Sequence, residues 1–258
     1  MPAPTNQIKS KLLAGEMQIG CFLNLGATSV AEIAGAAGYD WCLVDGEHGP
    51  NDLPGMRDQL VALASVGCPA MLRVADNQPW MIKQALDIGA QTILVPMVGS
   101  GAEAAAAASA ARYPTAGTRG LAAGVVRASG YGKQADYAAT ANDQTCLMVQ
   151  AENRAALENI DAIATTEGVD CVFIGPSDLA ADMGYLGQPG AKEVEEAIAH
   201  IMARTRAAGK AVAMFCMDPS KLKTYAEMGA TFIAVAGDNG LLRTALSNRA
   251  TDARNALK

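Results

Sequence analysis

Clustered basic residues, aromatic residues and long apolar runs are all scarce in this sequence. Aromatic side chains make up 5% of its 258 residues, and 20 basic residues are outnumbered by 26 acidic ones, which gives a formal net charge of −6. Because nucleic-acid-binding surfaces need clustered lysine and arginine, no nucleic-acid partner is expected. No run of about 18 apolar residues predicts a membrane helix, and no signal-peptide segment follows the N-terminus.

The cysteines contain no C-x-x-C pair. Six of them lie far apart in the chain: Cys21, Cys42, Cys68, Cys146, Cys171 and Cys216. Each lies in or beside an apolar run, which predicts buried free thiols rather than disulfides or metal ligands. Free thiols indicate a reducing compartment, so a cytoplasmic location is expected.

One pattern repeats along the chain, in which a helical stretch ends at a glycine and an apolar, strand-like run follows. Six glycines occupy this position: Gly38, Gly67, Gly89, Gly168, Gly209 and Gly229. Glycine ends a helix in the left-handed conformation at little energetic cost. Two further apolar runs, at residues 18–23 and 145–149, bring the number of predicted strands to eight.

Apolar strands that alternate with helices are typical of a parallel sheet covered on both faces. Eight such units in about 250 residues predict an α/β fold, a closed (β/α)8 barrel formed by residues 1–258 as a single domain with a short helix before the first strand. An open doubly wound sheet is the alternative, but residues 23–27 lack a glycine-rich dinucleotide turn. Residues 113–137 are too long for an ordinary connection and predict a functional loop or an insertion.

Polar side chains follow several of the predicted strands, at the end where (β/α)8 barrels carry out chemistry. These residues are Asp45, Glu47 and His48 after the second strand, Arg73 after the third, Gln150 and Glu152 after the fifth, and Ser177 and Asp178 after the sixth. A purely structural barrel has little reason to gather such groups at one rim. The sequence therefore predicts an active site there.

The types of these residues suggest their roles. Glu152 and Asp178 offer two carboxylates from adjacent strands, which suits an oxygen-seeking ion such as Mg²⁺ or Mn²⁺. His48 is the only histidine near the rim and is the natural proton carrier. Asp45 and Asp87 are both candidates to orient it.

Arg73 and the lysines suggest how a substrate is bound and activated. The planar guanidinium of Arg73 suits a substrate carboxylate. Lys210 is the only lysine beside a predicted strand, and it lies at the entrance of that strand. A Schiff-base mechanism is therefore disfavoured.

Several motifs together resemble the class II, metal-dependent pyruvate aldolases of the HpcH/HpaI family, the 4-hydroxy-2-oxoheptane-1,7-dioate aldolases. The similarity covers essentially the whole chain, with motifs at residues 44–51, 94–98, 117–120, 127–129, 149–152 and 173–184. It implies a (β/α)8 barrel whose last helix is exchanged between the subunits of a dimer. It also implies that three dimers assemble into a hexamer.

The resemblance implies a role for each residue at the rim. Glu152 and Asp178 would hold Mg²⁺, Mn²⁺ or Co²⁺, and Gln150 would lie near the bound oxo acid. Arg73 would bind the oxygens of the oxo acid and stabilise its enolate. His48 would be the acid/base residue, supported by one of the two candidate aspartates.

The resemblance also implies the walls of the substrate pocket. Backbone amides around Gly175 and Ser177, with Pro176 between them, would hold the substrate carboxylate. The side chains of Ser177 and Phe215 would face the substrate.

The activity implied by the resemblance is reversible cleavage of 4-hydroxy-2-oxo acids to pyruvate, or hydroxypyruvate, and an aldehyde through a metal-stabilised enolate. The partners would be small 2-oxo acids and aldehydes. One alternative is decarboxylation of a β-keto acid such as oxaloacetate. Another is a non-catalytic barrel that binds an oxo acid as a sensor.

Overall fold

The eight predicted strands form a closed parallel barrel in chain order. A computed structural model describes all of residues 1–258. Each strand pairs with the next, and the last pairs with the first. The strands are β1 (Gln18–Leu23), β2 (Trp41–Asp45), β3 (Ala70–Arg73), β4 (Thr92–Val95), β5 (Cys146–Ala151), β6 (Cys171–Ile174), β7 (Ala211–Phe215) and β8 (Ala230–Gly237). The (β/α)8 prediction is confirmed.

Twelve α-helices accompany the strands. They are α1 (Gln7–Leu13), α2 (Thr28–Gly35), α3 (Leu53–Ser65), α4 (Pro79–Asp87), α5 (Gly101–Ala110), α6 (Tyr137–Gln144), α7 (Arg154–Glu158), α8 (Ile160–Ala164), α9 (Pro176–Asp182), α10 (Lys192–Ala207), α11 (Pro219–Met228) and α12 (Asp238–Ala256). The predicted short helix before the first strand is α1. No helix is long and apolar enough to cross a membrane.

The helix-ending glycines adopt the predicted left-handed conformation. All six have φ between +73° and +107°, and the following strand begins one to three residues later. The predicted buried thiols are also confirmed, because all six cysteines are free and buried. The local backbone rule used on the sequence therefore holds at each of the six repeats to which it was applied.

The core has two layers, one inside the barrel and one between the strands and the helices. At the N-terminal end of the strands, α1 closes the barrel by adding Ile8 and Leu12 to the inner layer. In the same layer Trp41 stacks on Phe232, with ring centroids 4.2 Å apart. Gly20 makes room for that indole, since a Cβ at this position would lie 2.2 Å from the Trp41 ring.

Arginine side chains cover three of the helix-ending glycines at the N-terminal end of the barrel. The pairs are Arg127 with Gly89, Arg112 with Gly168, and Arg206 with Gly229. In the first pair, the Arg127 guanidinium donates a 2.8 Å hydrogen bond to the carbonyl of Ile88 at the end of α4. A Cβ at Gly89 would lie 2.3 Å from Arg127 Nη1. Gly89 is therefore required for space as well as for its positive φ.

The long segment at residues 113–137 is attached to the side and N-terminal end of the barrel. Arg119 is buried, donates a 2.6 Å hydrogen bond to Asp87 at the end of α4, and lies over the Tyr113 ring. A short 3₁₀ helix, Arg127–Ser129, continues the segment. Within one chain this segment lies away from the rim that the sequence predicts to be functional.

We expect Gly89→Ala to destabilise the protein more than Gly38→Ala. Both glycines have a φ near +100°, but a Cβ at Gly38 meets nothing within 4 Å. Gly38→Ala should cost only the backbone strain, about 1 kcal/mol. Gly89→Ala should cost about 1 kcal/mol more, because it displaces the hydrogen-bonded Arg127. Urea unfolding of both variants measures the difference.

An Arg127→Met background is the control for this comparison. In that background the two glycine substitutions should become equal in cost. An unchanged difference would show that Arg127 does not account for it.

Candidate active site

The carboxyl ends of the strands form one rim, and a cavity of about 190 Å³ opens there. Parallel strands bring the residues that follow them to the same end of the barrel. The cavity is lined by Phe22, Asn24, His48, Arg73, Gln150, Phe173, Gly175, Pro176, Ser177, Asp178 and Phe215. The structure thus brings together most of the residues that the sequence placed at the rim.

Arg73 lies in the wall of the cavity, held by acids on one side. Its Nε and Nη2 donate to the two carboxylate oxygens of Asp45, at 2.9 and 2.7 Å. Its Nη1 lies 2.7 Å from Glu47 Oε2 and 3.4 Å from Gln150 Oε1. Burial opposes the charge on Arg73, but the hydrogen bonds and negative charges of Asp45 and Glu47 raise its pKa. The guanidinium therefore stays charged beside the cavity.

The Asp45 carboxylate binds Arg73 and the backbone of its own loop, and it does not contact the His48 imidazole. Besides the guanidinium, its carboxylate accepts hydrogen bonds from the Asn24 side chain and from the backbone N–H groups of Glu47 and His48. The carboxyl group is fully buried, so these donors satisfy it without water. Sequence analysis predicted no role for Asn24, because residues 23–27 were considered only as a possible dinucleotide turn.

Asp87 does not lie near His48 in this chain. It ends α4, at the opposite end of the barrel, and pairs with Arg119. A helix that follows a strand returns its last residue to the N-terminal end of the barrel, so within one subunit Asp87 does not reach His48. Its role in orienting that histidine stays a prediction. The carboxylate that does face the imidazole belongs to Glu47, with 3.8 Å between its Oε2 and His48 Nε2.

Both predicted metal ligands belong to this rim: Asp178 lines the cavity, and Glu152 lies against Gly175 in its wall. Glu152 is 2% exposed, and its carboxylate accepts hydrogen bonds from the Met97 backbone N–H, at 2.8 Å, and from the Gln150 amide. Burial raises the pKa of Glu152 to about 7, and the negative charges of Glu47 and Asp178 add to the effect.

Two local backbone features hold the Glu152 carboxylate in place. Met97 has φ +55°, an uncommon conformation for a residue with a side chain, and its N–H points at Glu152. A Cβ at Gly175 would lie 2.5 Å from Glu152 Oε2 and 2.9 Å from Gln150 Nε2. Only glycine fits at this position without displacing the carboxylate.

The balance of charge at the rim fits a divalent cation. Four carboxylates and a single guanidinium, that of Arg73, influence one another there; the acids are Asp45, Glu47, Glu152 and Asp178. Asp45 and Glu47 share Arg73, which leaves Glu152 and Asp178 without a cationic partner. Carboxylate oxygens are the ligands that Mg²⁺ and Mn²⁺ prefer. No set of three histidine, cysteine or acidic side chains is arranged to hold a metal ion.

An aromatic wall faces the charged side of the cavity. Phe22 packs edge-on against Phe215, with ring centroids 5.3 Å apart, and is 6.0 Å from Phe173. The Arg73 guanidinium lies 5.2 Å from the Phe22 centroid. Phe215 therefore lines the cavity, where the resemblance implies it. Phe22 and Phe173 also line it, but sequence analysis predicted no role for them because they are apolar residues inside predicted strands.

Reactive side chains gathered where the parallel strands of a closed barrel end are characteristic of (β/α)8-barrel enzymes. The sequence profile of one family of such proteins, described as HpcH/HpaI aldolase/citrate lyase, matches residues 18–245. The chain belongs to this family.

Similar proteins are found among curated sequences and solved structures. The chain is 50% identical over 238 residues to a hydroxypyruvate/pyruvate aldolase of Agrobacterium fabrum, covering 92% of this chain and 90% of that one. It is 45% identical over 245 residues to a 2-keto-3-deoxy-L-rhamnonate aldolase of Klebsiella pneumoniae, covering 95% and 92%. A crystal structure of a family member from Burkholderia cenocepacia superposes with a TM-score of 0.93 at 39% identity, covering 97% of this chain and all of that one.

We expect the metal-free protein to lose stability as the pH rises from about 5 to 8. The pKa of Glu152 is about 7 in the folded protein and 4.5 without burial, so the folded state binds a proton that the unfolded chain has released. Ionising Glu152 at higher pH therefore costs about 3 kcal/mol of stability. Urea unfolding of the chelator-treated protein at several pH values measures it.

Glu152→Gln is the matched variant for this experiment. The stability of the variant should not fall in this way as the pH rises. Adding Mg²⁺ to the wild type should also abolish the fall, because the cation stabilises the ionised carboxylate. If the stability of wild type and variant changed with pH in the same way, Glu152 would not be the group responsible for the fall.

Proposed function

We propose that this protein is a divalent-metal-dependent aldolase that reversibly cleaves 4-hydroxy-2-oxo acids to pyruvate, or hydroxypyruvate, and an aldehyde. The observation that carries the proposal is a cavity lined by a charged arginine, Arg73, and by Asp178, with the buried Glu152 carboxylate directly behind Gly175 in its wall. The names of the relatives from Agrobacterium fabrum and Klebsiella pneumoniae support the same reaction class.

Glu152 and Asp178 are the residues that would hold the cation, of which Mg²⁺, Mn²⁺ and Co²⁺ are the candidates. A bound divalent cation would act as a Lewis acid and stabilise negative charge on the oxygens of the oxo acid. Gln150 lies between Arg73 and Glu152 and donates to the Glu152 carboxylate. It thereby links the arginine to the cation ligands and would face the bound oxo acid.

Arg73 and His48 would carry out the remaining parts of the reaction. Arg73 would bind an oxygen of the oxo acid and stabilise the enolate that forms when the C3–C4 bond breaks. His48, exposed at the mouth of the cavity, would take the proton from the 4-hydroxyl group, directly or through one water, and return a proton to the enolate carbon. Asp45 supports the reaction by holding Arg73 in place.

The first turn of α9 and the aromatic wall would contact the two ends of the substrate. Gly175, Pro176 and Ser177 start α9 at the cavity. The Gly175 N–H already donates to the Ala151 carbonyl and Pro176 has none, so the N–H groups from Ser177 onward would hold the substrate carboxylate. Phe215 would limit the size of the group on the donor or the aldehyde.

Removing divalent cations with a chelator should abolish cleavage, and Mg²⁺, Mn²⁺ or Co²⁺ should restore it. Borohydride added together with pyruvate should neither inactivate the protein nor increase its mass, because no lysine lines the cavity. Enzyme assay and intact-mass spectrometry are the measurements. A borohydride-trapped lysine adduct would overturn the proposed mechanism.

Parallel assays separate aldol cleavage from the alternatives. A panel of aldehydes with pyruvate and with hydroxypyruvate should give aldol products. Oxaloacetate decarboxylation as the main reaction would favour the decarboxylase instead. Binding of oxo acids with no turnover of any substrate would favour a sensor.

We propose that residues 1–258 act as one barrel domain in a homo-oligomer, with the last helix exchanged between the subunits of a dimer and dimers forming a hexamer. Along α12 only Asp238 is buried, whereas Leu241, Leu242 and Leu246 are exposed. A largely apolar groove of about 310 Å³ lies between α12 and α2. The six free cysteines fit a cytoplasmic location.

Leu242→Glu should weaken the oligomer, because it places a charge on the apolar face of α12 that a second subunit would cover. Light scattering after gel filtration should show smaller species than the wild type at the same concentration. Leu186→Glu, at an exposed leucine outside this face, is the control and should not change the mass. Equal masses for wild type and Leu242→Glu would contradict the role of this face.

A further inference from the structure

Asn24 is a polar residue of the cavity that has no step in the proposed reaction. It follows β1 directly and lines the cavity together with Phe22 from that strand. Its backbone is fixed there, because the N–H groups of Asn24 and Leu25 donate to the two carboxylate oxygens of Asp238, at 2.8 and 3.2 Å. Asp238 begins α12 and is buried. The position of Asn24 at the rim therefore depends on a buried acid and not on its loop alone.

The orientation of the Asn24 amide follows from its one side-chain hydrogen bond. Its Nδ2 donates to Asp45 Oδ2, and a carboxylate paired with Arg73 only accepts hydrogen bonds, so the amide nitrogen faces Asp45. This bond uses one of the two hydrogens on Nδ2. Oδ1 accepts no hydrogen bond within the chain, and Gly237 on β8, where a Cβ would lie 3.5 Å from Oδ1, has no side chain to cover it. The half-buried amide thus keeps one donor and one acceptor for a ligand.

A free donor and a free acceptor on one amide match a hydroxyl group, which can accept one hydrogen bond and donate another. A methyl group in the same place would leave both amide atoms unpaired once water is excluded, which costs binding free energy. Sites with such polar groups discriminate strongly between a hydroxyl group and its absence, whereas an apolar pocket discriminates weakly. The Asn24 amide is therefore suited to distinguish hydroxypyruvate from pyruvate, since the two donors differ by one hydroxyl group on C3.

The order of the strands places Asn24 on the side of the cavity where C3 of the donor would lie. In a closed barrel of eight strands in chain order, β1 lies across from β5, and β2 lies across from β6. The proposed partners of the cation and of the oxo-acid carboxylate follow β5 and β6, and they are Glu152, Asp178 and the Ser177 N–H. An oxo acid bound by these groups would direct its third carbon across the barrel, toward the ends of β1 and β2.

We propose that Asn24 determines the donor specificity of this protein: its amide hydrogen-bonds the C3 hydroxyl group of hydroxypyruvate and thereby favours this donor over pyruvate. The proposal rests on the proposed aldolase function, because it needs an oxo acid bound beside the cation site. Asn24 also contacts Asp45, which holds Arg73, so a purely structural role would change the binding of both donors alike. Selectivity between the two donors therefore separates the two roles.

Binding of each donor in the absence of an aldehyde measures the proposed contact. Isothermal titration calorimetry on the full-length, Mg²⁺-loaded protein gives the Kd for hydroxypyruvate and for pyruvate. In the wild type the Kd for hydroxypyruvate should be about fivefold lower than that for pyruvate, the effect of one net hydrogen bond. Asn24→Leu removes both polar atoms of the side chain and should bring the two Kd values to within about twofold of each other.

Two further variants control this experiment. Asn24→Ser keeps a hydroxyl group that can both donate and accept, so it should retain part of the preference for hydroxypyruvate. Asn77→Leu makes the same substitution at a half-buried asparagine outside the cavity, which donates a 3.1 Å hydrogen bond to the Glu103 carbonyl, and it should leave both Kd values unchanged. Circular dichroism checks that each variant is folded.

Proton exchange shows whether the same contact acts in the reaction. Exchange of the C3 protons of each donor with deuterated water, followed by NMR, reports on enolate formation before an aldehyde binds. In Asn24→Leu, kcat/KM for this exchange should fall about fivefold more for hydroxypyruvate than for pyruvate. Misplacement of Arg73 would instead lower both values by the same factor.

The outcomes distinguish this proposal from the proposed function. An unchanged ratio of the two Kd values in Asn24→Leu would overturn the role in donor specificity and leave Asn24 as a partner of Asp45 alone. Equal Kd values for both donors in the wild type would also overturn it. If the wild type binds both oxo acids but cleaves no 4-hydroxy-2-oxo acid, the proposed function fails, and the Kd ratios still decide the role of Asn24. If it binds neither oxo acid, both proposals fail.

Discussion

The pairing of one buried arginine with two acids is the interaction on which the rim depends. Arg73 brings the only positive charge that is fixed in the wall of the cavity, and Asp45 and Glu47 together keep it ionised and in place. Removing one partner of such a buried group would leave an uncompensated charge, which costs more than the pair itself contributes. Because Arg73 is paired with Asp45 and Glu47, neither Glu152 nor Asp178 forms a salt bridge within the chain. The raised pKa of Glu152 is a consequence of this arrangement, since its burial and the nearby carboxylates outweigh the more distant charge of Arg73.

The barrel makes this arrangement possible by placing consecutive strand ends next to each other. Asp45 and Arg73 are register partners on β2 and β3, so their side chains meet across adjacent strands. At the other end, the arginines that cover helix-ending glycines and the packing of α1 close the barrel. These packing contacts lie at the N-terminal end, whereas the strand ends at the rim carry groups that are costly to bury.

The sequence predicts the fold better than it predicts the contacts within the site. Six of the eight strands follow from a local rule, an apolar run after a helix-ending glycine, and this rule holds at Gly38 as it does at Gly229. The rim residues were predictable because their position depends only on strand polarity. The position of Asp87 was not, since only the return direction of α4 places it at the end of the barrel opposite His48 within one chain. Asn24, Phe22 and Phe173 were missed because neither an amide nor a phenylalanine beside a strand has a pattern that marks it. The second role of Gly89, to make room for Arg127, depends on a residue 38 positions away and could not be seen locally.

The absence of a side chain at Gly175 constrains how this pocket can diversify. The atoms of Glu152 and Gln150 fill the space that any Cβ there would need, so random substitution at this position should remove function rather than alter it. Two residues further on, Ser177 is exposed to the cavity and meets no such obstacle, and Phe215 is only partly covered. Directed evolution of acceptor preference is therefore best confined to those two codons, with the glycine codon left untouched.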